Sequence, residues 1–119
     1  MDLASFAEAW RRRSEEEERA QQDREARALR VAAGLARVLG ERYAASRVLL
    51  VGSLRRGTFG PRSDIDLAVE GLSPNAVEQA NVELTGTEGF EVDVIRLEDA
   101  RSHWRSYFEK WSETLWPPP

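Results

Sequence analysis

Two aspartates, Asp64 and Asp66, begin an alternating segment that runs over residues 64–69. Side chains alternate across a strand, so both carboxylates should project from one face, while Ile65, Leu67 and Val69 project from the other. Two like charges this close are costly to ionise together, and a divalent cation or an arginine between them offsets that cost. Mg²⁺ would suit this position, but acids are also common on exposed strand faces, so the pattern alone does not identify a metal site.

A third aspartate, Asp93, lies in a later alternating segment. Phe90, Val92 and Val94 should point to one face of that strand, and Asp93 lies on the opposite face. If this strand neighbours the one that carries the first two aspartates, three carboxylates share a site. Mg²⁺ prefers one or two carboxylates plus substrate phosphates, and paired ions can clamp both oxygens of a displacement at phosphorus. Three aspartates on adjacent strands would supply that clamp.

A glycine-serine pair, Gly52-Ser53, stands ten residues before Asp64. This spacing resembles the signature of the nucleotidyltransferase superfamily, which includes DNA polymerase beta and kanamycin nucleotidyltransferase. Its form is close to that of the minimal nucleotidyltransferases, the MNT group, and the resemblance covers roughly residues 28–99. The strings that carry it are Val51-Gly52-Ser53-Leu54-Arg55-Arg56-Gly57 and Ser63-Asp64-Ile65-Asp66-Leu67.

The resemblance implies that Asp64, Asp66 and Asp93 form both the catalytic site and the metal site. Asp64 and Asp66 would bridge two Mg²⁺ ions, and Asp93 would complete the site and help to deprotonate the attacking hydroxyl. The implied reaction is transfer of AMP from Mg-ATP to a hydroxyl group, with release of pyrophosphate. ATP is then the expected substrate and Mg²⁺ the expected cofactor.

The same resemblance implies a phosphate-binding set formed by Gly52, Ser53 and Arg56. Glycine lets the backbone approach a phosphate, and Ser53 can offer its amide and hydroxyl to phosphate oxygens where a helix begins. Arg56 falls where the family has an arginine near the triphosphate. Position 55 is usually small in the family but is Arg55 here, and Arg62 follows in the loop. These two arginines could serve either the phosphates or a protein partner.

The acceptor of the nucleotide is expected to come from another chain. Superfamily members that modify antibiotics or extend nucleic acids obtain the acceptor pocket from an additional domain, for which 119 residues leave no room. Minimal nucleotidyltransferases are typically antitoxins of a separate HEPN-domain ribonuclease toxin, which they neutralise by binding or by adenylylating a toxin tyrosine. The resemblance therefore implies a protein adenylyltransferase that acts as an antitoxin, with a homo- or hetero-oligomer left open.

Two alternatives remain open. The chain could be a non-catalytic antitoxin or assembly subunit that neutralises its partner by binding, with Phe6, Trp10 and the tryptophan-rich tail as a docking surface, since exposed aromatics are typical of such surfaces. Self-modification at Tyr43 or Tyr107 is the other alternative, although both tyrosines lie in stretches that more simply indicate packing.

The elements that must position these residues begin with a long helix from Asp2 to about Gly40, continuous or in two parts. The stretch lacks proline, and acidic residues precede arginines by four positions. Its second half has an amphipathic stripe, whereas its first half has almost nothing to bury. We therefore predict a charged helical extension over residues 1–25 and a nucleotidyltransferase domain over 26–116. The stripe comprises Ala28, Val31, Ala32, Leu35, Val38 and Leu39.

The rest of the chain predicts a small mixed sheet flanked by helices. Strands are expected at 47–51, 64–69 and 90–95, and a helix from Ser73-Pro74 to about Thr85-Gly86. Residues 98–116 have helical composition and are followed by a proline tail at 117–119. This order predicts an α/β or α+β domain. The aromatics of the last helix are interpreted as core, and His103 as structural or exposed; they are Trp104, Tyr107, Phe108 and Trp111.

Composition narrows the classes of site and partner. The chain has no cysteine and one histidine, which excludes a disulfide framework, a thiolate zinc site and a histidine metal centre. A net charge of −4 argues against a binder of duplex DNA. No apolar run of about 20 residues could span a bilayer, and no basic segment is followed by an apolar run at the start, so we expect a cytoplasmic protein without membrane contact.

Overall fold

A computed structural model describes residues 2–119 and contains four helices and four strands within that range. Two short 3₁₀ turns, Thr87–Gly89 and Leu97–Asp99, flank the third strand. No helix in residues 2–119 is both long enough and apolar enough to cross a membrane. The elements in chain order are α1 Leu3–Glu41, β1 Arg47–Val51, α2 Gly52–Arg56, β2 Ile65–Glu70, α3 Pro74–Leu84, β3 Val92–Arg96, α4 Ser102–Trp111 and β4 Glu113–Trp116.

The four strands form one mixed sheet in the order β3-β2-β1-β4. Strand β1 pairs antiparallel with both β2 and β4, whereas β2 and β3 run parallel. The parallel pair is connected through α3, as parallel neighbours require a crossover. The predicted fold class, a small mixed sheet flanked by helices with a long N-terminal helix, is confirmed.

Helix α1 is a single helix of 39 residues. Of the two predicted forms, one continuous helix or two helices, the continuous one is correct. Asp2 caps it by accepting a hydrogen bond from the Ser5 amide at 2.6 Å. Residues 3–20 are all exposed, and the molecule measures 62 Å along its longest axis because this half extends past the sheet. The second half is buried on the predicted stripe, with Val38 partly buried and Ala36 added; its buried residues are Ala28, Val31, Ala32, Leu35, Ala36 and Leu39.

Helix α3 fixes the edge strand β3. It begins as predicted, with the Ser73 hydroxyl accepting from the Ala76 amide at 3.1 Å, and ends at Leu84. The Asn81 side chain then replaces a missing strand neighbour: it donates to the Val94 carbonyl at 2.9 Å and accepts from the Val94 amide at 2.7 Å. The backbone beside Asp93 is therefore held in place by a helix on the other side of the sheet.

The prediction of one helix over residues 98–116 was wrong. Helix α4 spans only Ser102–Trp111, and Glu113–Trp116 forms strand β4 at the edge of the sheet. The Trp116 ring lies against Gly40 of α1 so closely that a Cβ at position 40 would come within 2.0 Å of it. Helical composition is a weak preference, and here strand pairing with β1 and the packing of Trp116 outweigh it.

The two faces of the sheet are covered differently. One face packs against the second half of α1 and against α3 and forms the main core, which includes Val48, Leu50, Leu67 and Val69. The other face has a smaller buried cluster of Leu49, Val51, Ala68 and Leu97, with Ile95 and Phe108 partly buried against it. Helix α4 lies over this second face and has no fully buried residue of its own. The interpretation of its aromatics as core was therefore wrong for Trp104, Tyr107 and Trp111, whereas Phe108 packs partly against the second cluster.

Candidate active site

Gly52 stands where β1 ends and α2 begins, directly beside Asp66. Because β1 and β2 are antiparallel, the end of β1 lies next to the start of β2, with Val51 opposite Asp66. Gly52 has a φ of +76°, and a Cβ there would lie 2.1 Å from an Asp66 carboxylate oxygen. A side chain is excluded both by conformation and by space. The glycine thus brings the α2 backbone within contact of the central carboxylate.

The three aspartates lie at the start of the parallel pair of strands. Asp66 and Asp93 occupy matching positions on β2 and β3, so their side chains share a face. Asp64 lies just before β2, where the Ile65 amide donates to the Glu91 carbonyl at 2.9 Å. The expectation that the third strand neighbours the second is confirmed. The metal and catalytic roles of the three side chains remain predictions.

The electrostatics of this cluster centre on Asp66, which is half-buried. Burial raises the pKa of Asp66 to about 6, with further increases from the negative charges of Asp93 and Asp64, while Arg56 acts in the opposite direction. Negative charge is therefore concentrated at one point and only partly compensated. Such an arrangement is typical of a site that receives a cation.

Helix α2 presents the predicted phosphate-binding residues. Its one buried residue, Leu54, anchors it to the core, and Gly57 ends it in the left-handed conformation. Ser53 is half-buried in the first turn, and Arg56 is exposed in the last. Arg56 lines the same cavity as Gly52 and Asp66, whereas Arg62 lines a separate depression beside Asp64.

The loop that leads to Asp64 is fastened to α1. Phe59 is buried in this loop, and its carbonyl accepts a hydrogen bond from the Gln21 side chain. Arg24 donates to the Pro61 carbonyl at 3.1 Å, and its guanidinium lies 4.8 Å from the centre of the Phe90 ring. Contacts between α1 and the loop therefore extend back to Gln21, within the segment predicted as a charged helical extension over residues 1–25.

A cavity of about 560 Å³ opens between Asp66 and α4. Gly52, Arg56 and Asp66 line one end, and Val51 and Ile95 form its floor. The opposite wall is aromatic. We call it the α4 aromatic wall, and it consists of His103, Trp104, Tyr107 and Phe108.

Comparison with known proteins assigns this arrangement to a family. The sequence model of the nucleotidyltransferase domain matches residues 33–113, which is more than half of the chain. The chain belongs to this family. The prediction of a nucleotidyltransferase is thereby confirmed at the level of the family, and the matched residues include the cavity and all three aspartates. A comparison with curated proteins finds no match.

Two solved structures are similar to this chain. A toxin-antitoxin crystal structure with AMP-PNP aligns at 27% identity and a TM-score of 0.54, over 60% of this chain and 60% of the other. A toxin-antitoxin MntA-HpeT variant, with two aspartates two positions apart changed to glutamate, aligns at 20% identity and a TM-score of 0.57. That second alignment covers 77% of this chain and 72% of the other, and its likeness concerns the fold.

The donor set of the candidate site suits Mg²⁺. Within residues 2–119, no three His, Cys, Asp or Glu side chains lie close enough together to form a ready-made ligand set for one ion. Mg²⁺ does not require one, because it commonly takes one or two carboxylates and completes its shell with water and substrate phosphates. The oxygens of Asp66 and its two acidic neighbours have the chemistry that this ion prefers. The pKa of Asp66 is raised first by burial and then by the charges of Asp93 and Asp64, and a cation would stabilise the ionised form against both causes.

Sequence reasoning missed the α4 aromatic wall. The spacing of Trp104, Tyr107 and Phe108 on one helix face indicated core, but Trp104 is 51% exposed and Tyr107 38%. One signal was available: residues 102–111 contain no aliphatic side chain, whereas the buried half of α1 is made of Ala, Val and Leu. A helix face that is aromatic without aliphatic neighbours is more typical of a binding surface than of a core.

The two tyrosines considered as self-modification sites lie in different places. Tyr43 donates its hydroxyl to Glu83 of α3, and that bond raises the pKa of Tyr43. Tyr43 packs with the main core, on the face away from the aspartates. Tyr107 lines the cavity beside Asp66. Of the two, only Tyr107 is near the cluster, and its modification remains a prediction.

Proposed function

We propose that this nucleotidyltransferase transfers AMP from ATP to a hydroxyl of a partner toxin and so acts as an antitoxin. The observation that carries the proposal is the matched position of Asp66 and Asp93 on neighbouring strands, with Gly52 in contact distance of Asp66. Family membership supports the reaction class. One similar structure is a toxin-antitoxin complex with AMP-PNP, which supports both the partner and the nucleotide.

In the proposed reaction, the acceptor oxygen attacks the α-phosphorus of ATP. The bond from that phosphorus to the bridging oxygen of the β-phosphate breaks, pyrophosphate leaves, and the acceptor proton passes to the Asp93 carboxylate. Gly52 and Ser53 would bind phosphate through backbone and hydroxyl groups, and Arg56 would balance the triphosphate charge. Two Mg²⁺ ions held by Asp64, Asp66 and Asp93 would neutralise charge on the attacking and leaving oxygens.

The proposed partner is a HEPN-type ribonuclease toxin, and the proposed acceptor is a toxin tyrosine. This part extends the resemblance to the minimal nucleotidyltransferases, and both similar structures are described as toxin-antitoxin assemblies. The acceptor would approach Asp93, which is exposed at the start of the edge strand β3. A bulky protein substrate can reach that position without opening the core.

The test is incubation of the chain with its cognate partner and ATP labelled at the α-phosphate. We expect label on the partner with the wild type and a loss of at least about a hundredfold with Asp66→Asn or Asp93→Asn, the scale of removing groups that stabilise transition-state charge. Glu78→Gln is the matched control, because it removes one exposed carboxylate on α3, away from the cluster. Equal labelling by wild type and Asp66→Asn would contradict the proposed enzyme.

A second candidate is neutralisation by docking alone, and the free half of α1 favours it. Leu3 is 86% exposed, Phe6 57% and Trp10 62%, at spacings that place all three on one helix face. We propose that residues 2–20 form a docking arm and that the domain boundary lies at Gln21, where contacts with the loop begin. Deleting residues 2–20 should abolish partner binding and leave ATP binding unchanged. If the arm neutralises the partner by docking alone, the Asp66→Asn variant should also neutralise the partner.

A further inference from the structure

We propose that the α4 aromatic wall is the nucleobase subsite and that it holds the base by stacking, with little discrimination between purines. The inference rests on the proposed function, because it assigns a site to the base of the same ATP molecule whose phosphates the proposed function places at Gly52, Ser53 and Arg56. It adds four residues that lie outside the two strings, residues 51–57 and 63–67, on which the family resemblance was argued from the sequence. The specificity of the enzyme then depends on a helix rather than on the aspartate cluster.

Continuity of the cavity is the first argument. The α4 aromatic wall and the residues proposed for phosphates, Gly52 and Arg56, line one cavity of about 560 Å³. Small-molecule sites typically occupy about 300–1,000 Å³ and combine apolar walls with a few polar groups at one end. A nucleotide has this same division between a flat apolar base and a charged phosphate chain. Its phosphate end at Arg56 would direct its base towards α4.

The geometry of the rings is the second argument. Trp104 has Tyr107 at 6.0 Å, edge-on at 82°, and Phe108 at 6.2 Å. Both neighbours therefore support the indole, which lines the cavity and is half exposed. A half-exposed indole held by its neighbours offers aromatic surface on which a base can stack.

The shortage of hydrogen-bonding groups leads to the prediction about specificity. Apart from Arg56 and Asp66, which the phosphate and metal roles occupy, the polar side-chain groups of the lining residues are the His103 ring, the Tyr107 hydroxyl and the indole N–H of Trp104. Stacking tolerates any base, because every base has a π-face, whereas discrimination requires several directed hydrogen bonds. ATP and GTP should therefore bind with affinities within roughly fivefold of each other.

The test measures binding by calorimetry, with full-length protein and Mg²⁺, for ATP, GTP and inorganic tripolyphosphate. Trp104→Leu should weaken ATP and GTP roughly tenfold to a hundredfold, the range for loss of one stacked base, and leave tripolyphosphate unchanged. Trp104→Phe should lose less, because it keeps an aromatic face. Trp111→Leu is the matched control: Trp111 lies on the same helix and is 57% exposed, but it does not line the cavity.

Three results would overturn the inference. If Trp104→Leu binds ATP as the wild type does while tripolyphosphate also binds, the base lies elsewhere and the proposed donor site stands. If ATP binding is unchanged but labelling of the partner is lost, the α4 aromatic wall receives the acceptor instead. If wild-type protein binds neither ATP nor tripolyphosphate, the subsite and the proposed function both fail. Unchanged tripolyphosphate binding also shows that the variant is folded.

Discussion

The two faces of the sheet use the same strands for opposite purposes. On β2, Ile65, Leu67 and Val69 are fully buried against α1 and α3, whereas Asp66 lies on the alternate face beside the cavity. One face is thus packed for stability, and the other leaves charge and aromatic surface accessible. Because side chains alternate with a period of two, a single strand can satisfy both demands without compromise.

The largest expected effect is on stability and appears when one residue of the core face is compared with one residue of the accessible face. Leu67→Ala removes a fully buried side chain from the core face and should lower the free energy of unfolding by about 2–5 kcal/mol. Trp104→Ala, on the accessible face, should lower it by less than about 1 kcal/mol, because the indole is half exposed. Urea denaturation of both variants measures the contrast. Equal losses would mean that α4 belongs to the core.

Gly52→Ala should combine strain with loss of function on the accessible face. The positive φ and the 2.1 Å approach of a Cβ to the Asp66 carboxylate predict a destabilisation of about 1–3 kcal/mol. ATP binding should fall as well, because α2 must shift away from Asp66. Thermal melts and calorimetry measure the two effects. Gly34→Ala is the control, since a Cβ there meets nothing within 4 Å, and it should be neutral or slightly stabilising.

Asp66→Asn should increase stability at pH 7 in the absence of divalent cations, by about 1 kcal/mol after allowance for partial exposure. The folded-state pKa is raised from 3.8 to about 6, so the folded state binds its proton more tightly than the unfolded state does. The favourable contribution of Asp66 is complete below pH 4 and is lost as pH rises through 6. In EDTA, the melting temperatures of the wild type and of Asp66→Asn should therefore diverge as the pH rises from 4 to 6. A constant difference would contradict this account.

The ion pairs that hold α4 should have the smallest effect. Arg47 of β1 contacts Glu109 at 2.5 Å and Glu70 at 3.2 Å, and Arg105 of α4 contacts Glu70 at 3.0 Å. These pairs are partly exposed, so Glu109→Gln should reduce stability by less than about 1 kcal/mol, and 1 M salt should remove the difference. A loss that salt does not reduce would indicate that packing, rather than charge, holds the helix.

The sequence was sufficient for the parts of the molecule whose local pattern and packing agree. The stripe on α1, the Ser73 cap and the alternation around Asp66 all gave correct elements, because in each the local preference matches the tertiary environment. The adjacency of β2 and β3 was a condition for the three-carboxylate site, and it agrees with the preference of a strand-helix-strand order for parallel neighbours. The choice of the site residues themselves came from the alternation pattern together with the family resemblance.

The regions that could not be predicted depend on contacts between distant segments. Strand β4 is specified by pairing with β1 and by the fit of Trp116 against Gly40, neither of which is visible in residues 113–116 alone. The exposure of the α4 aromatics depends on which sheet face the helix covers, and periodicity does not carry that information. The hydrogen bonds from Gln21 and Arg24 to the loop before Asp64 likewise join segments about 40 residues apart.

The pairing of β4 with β1 has a consequence for biosynthesis. One hydrogen-bonding edge of β1 is completed by Glu113–Trp116, more than 60 positions later in the chain. While the intervening segment is being translated, that edge and the Gly40 surface of α1 stay uncovered on the ribosome. An unpaired strand edge beside apolar surface is a template for wrong association. The nascent chain should therefore be prone to wrong association until residue 113 is synthesised, and ribosomal pausing before that residue should lower the yield of native protein.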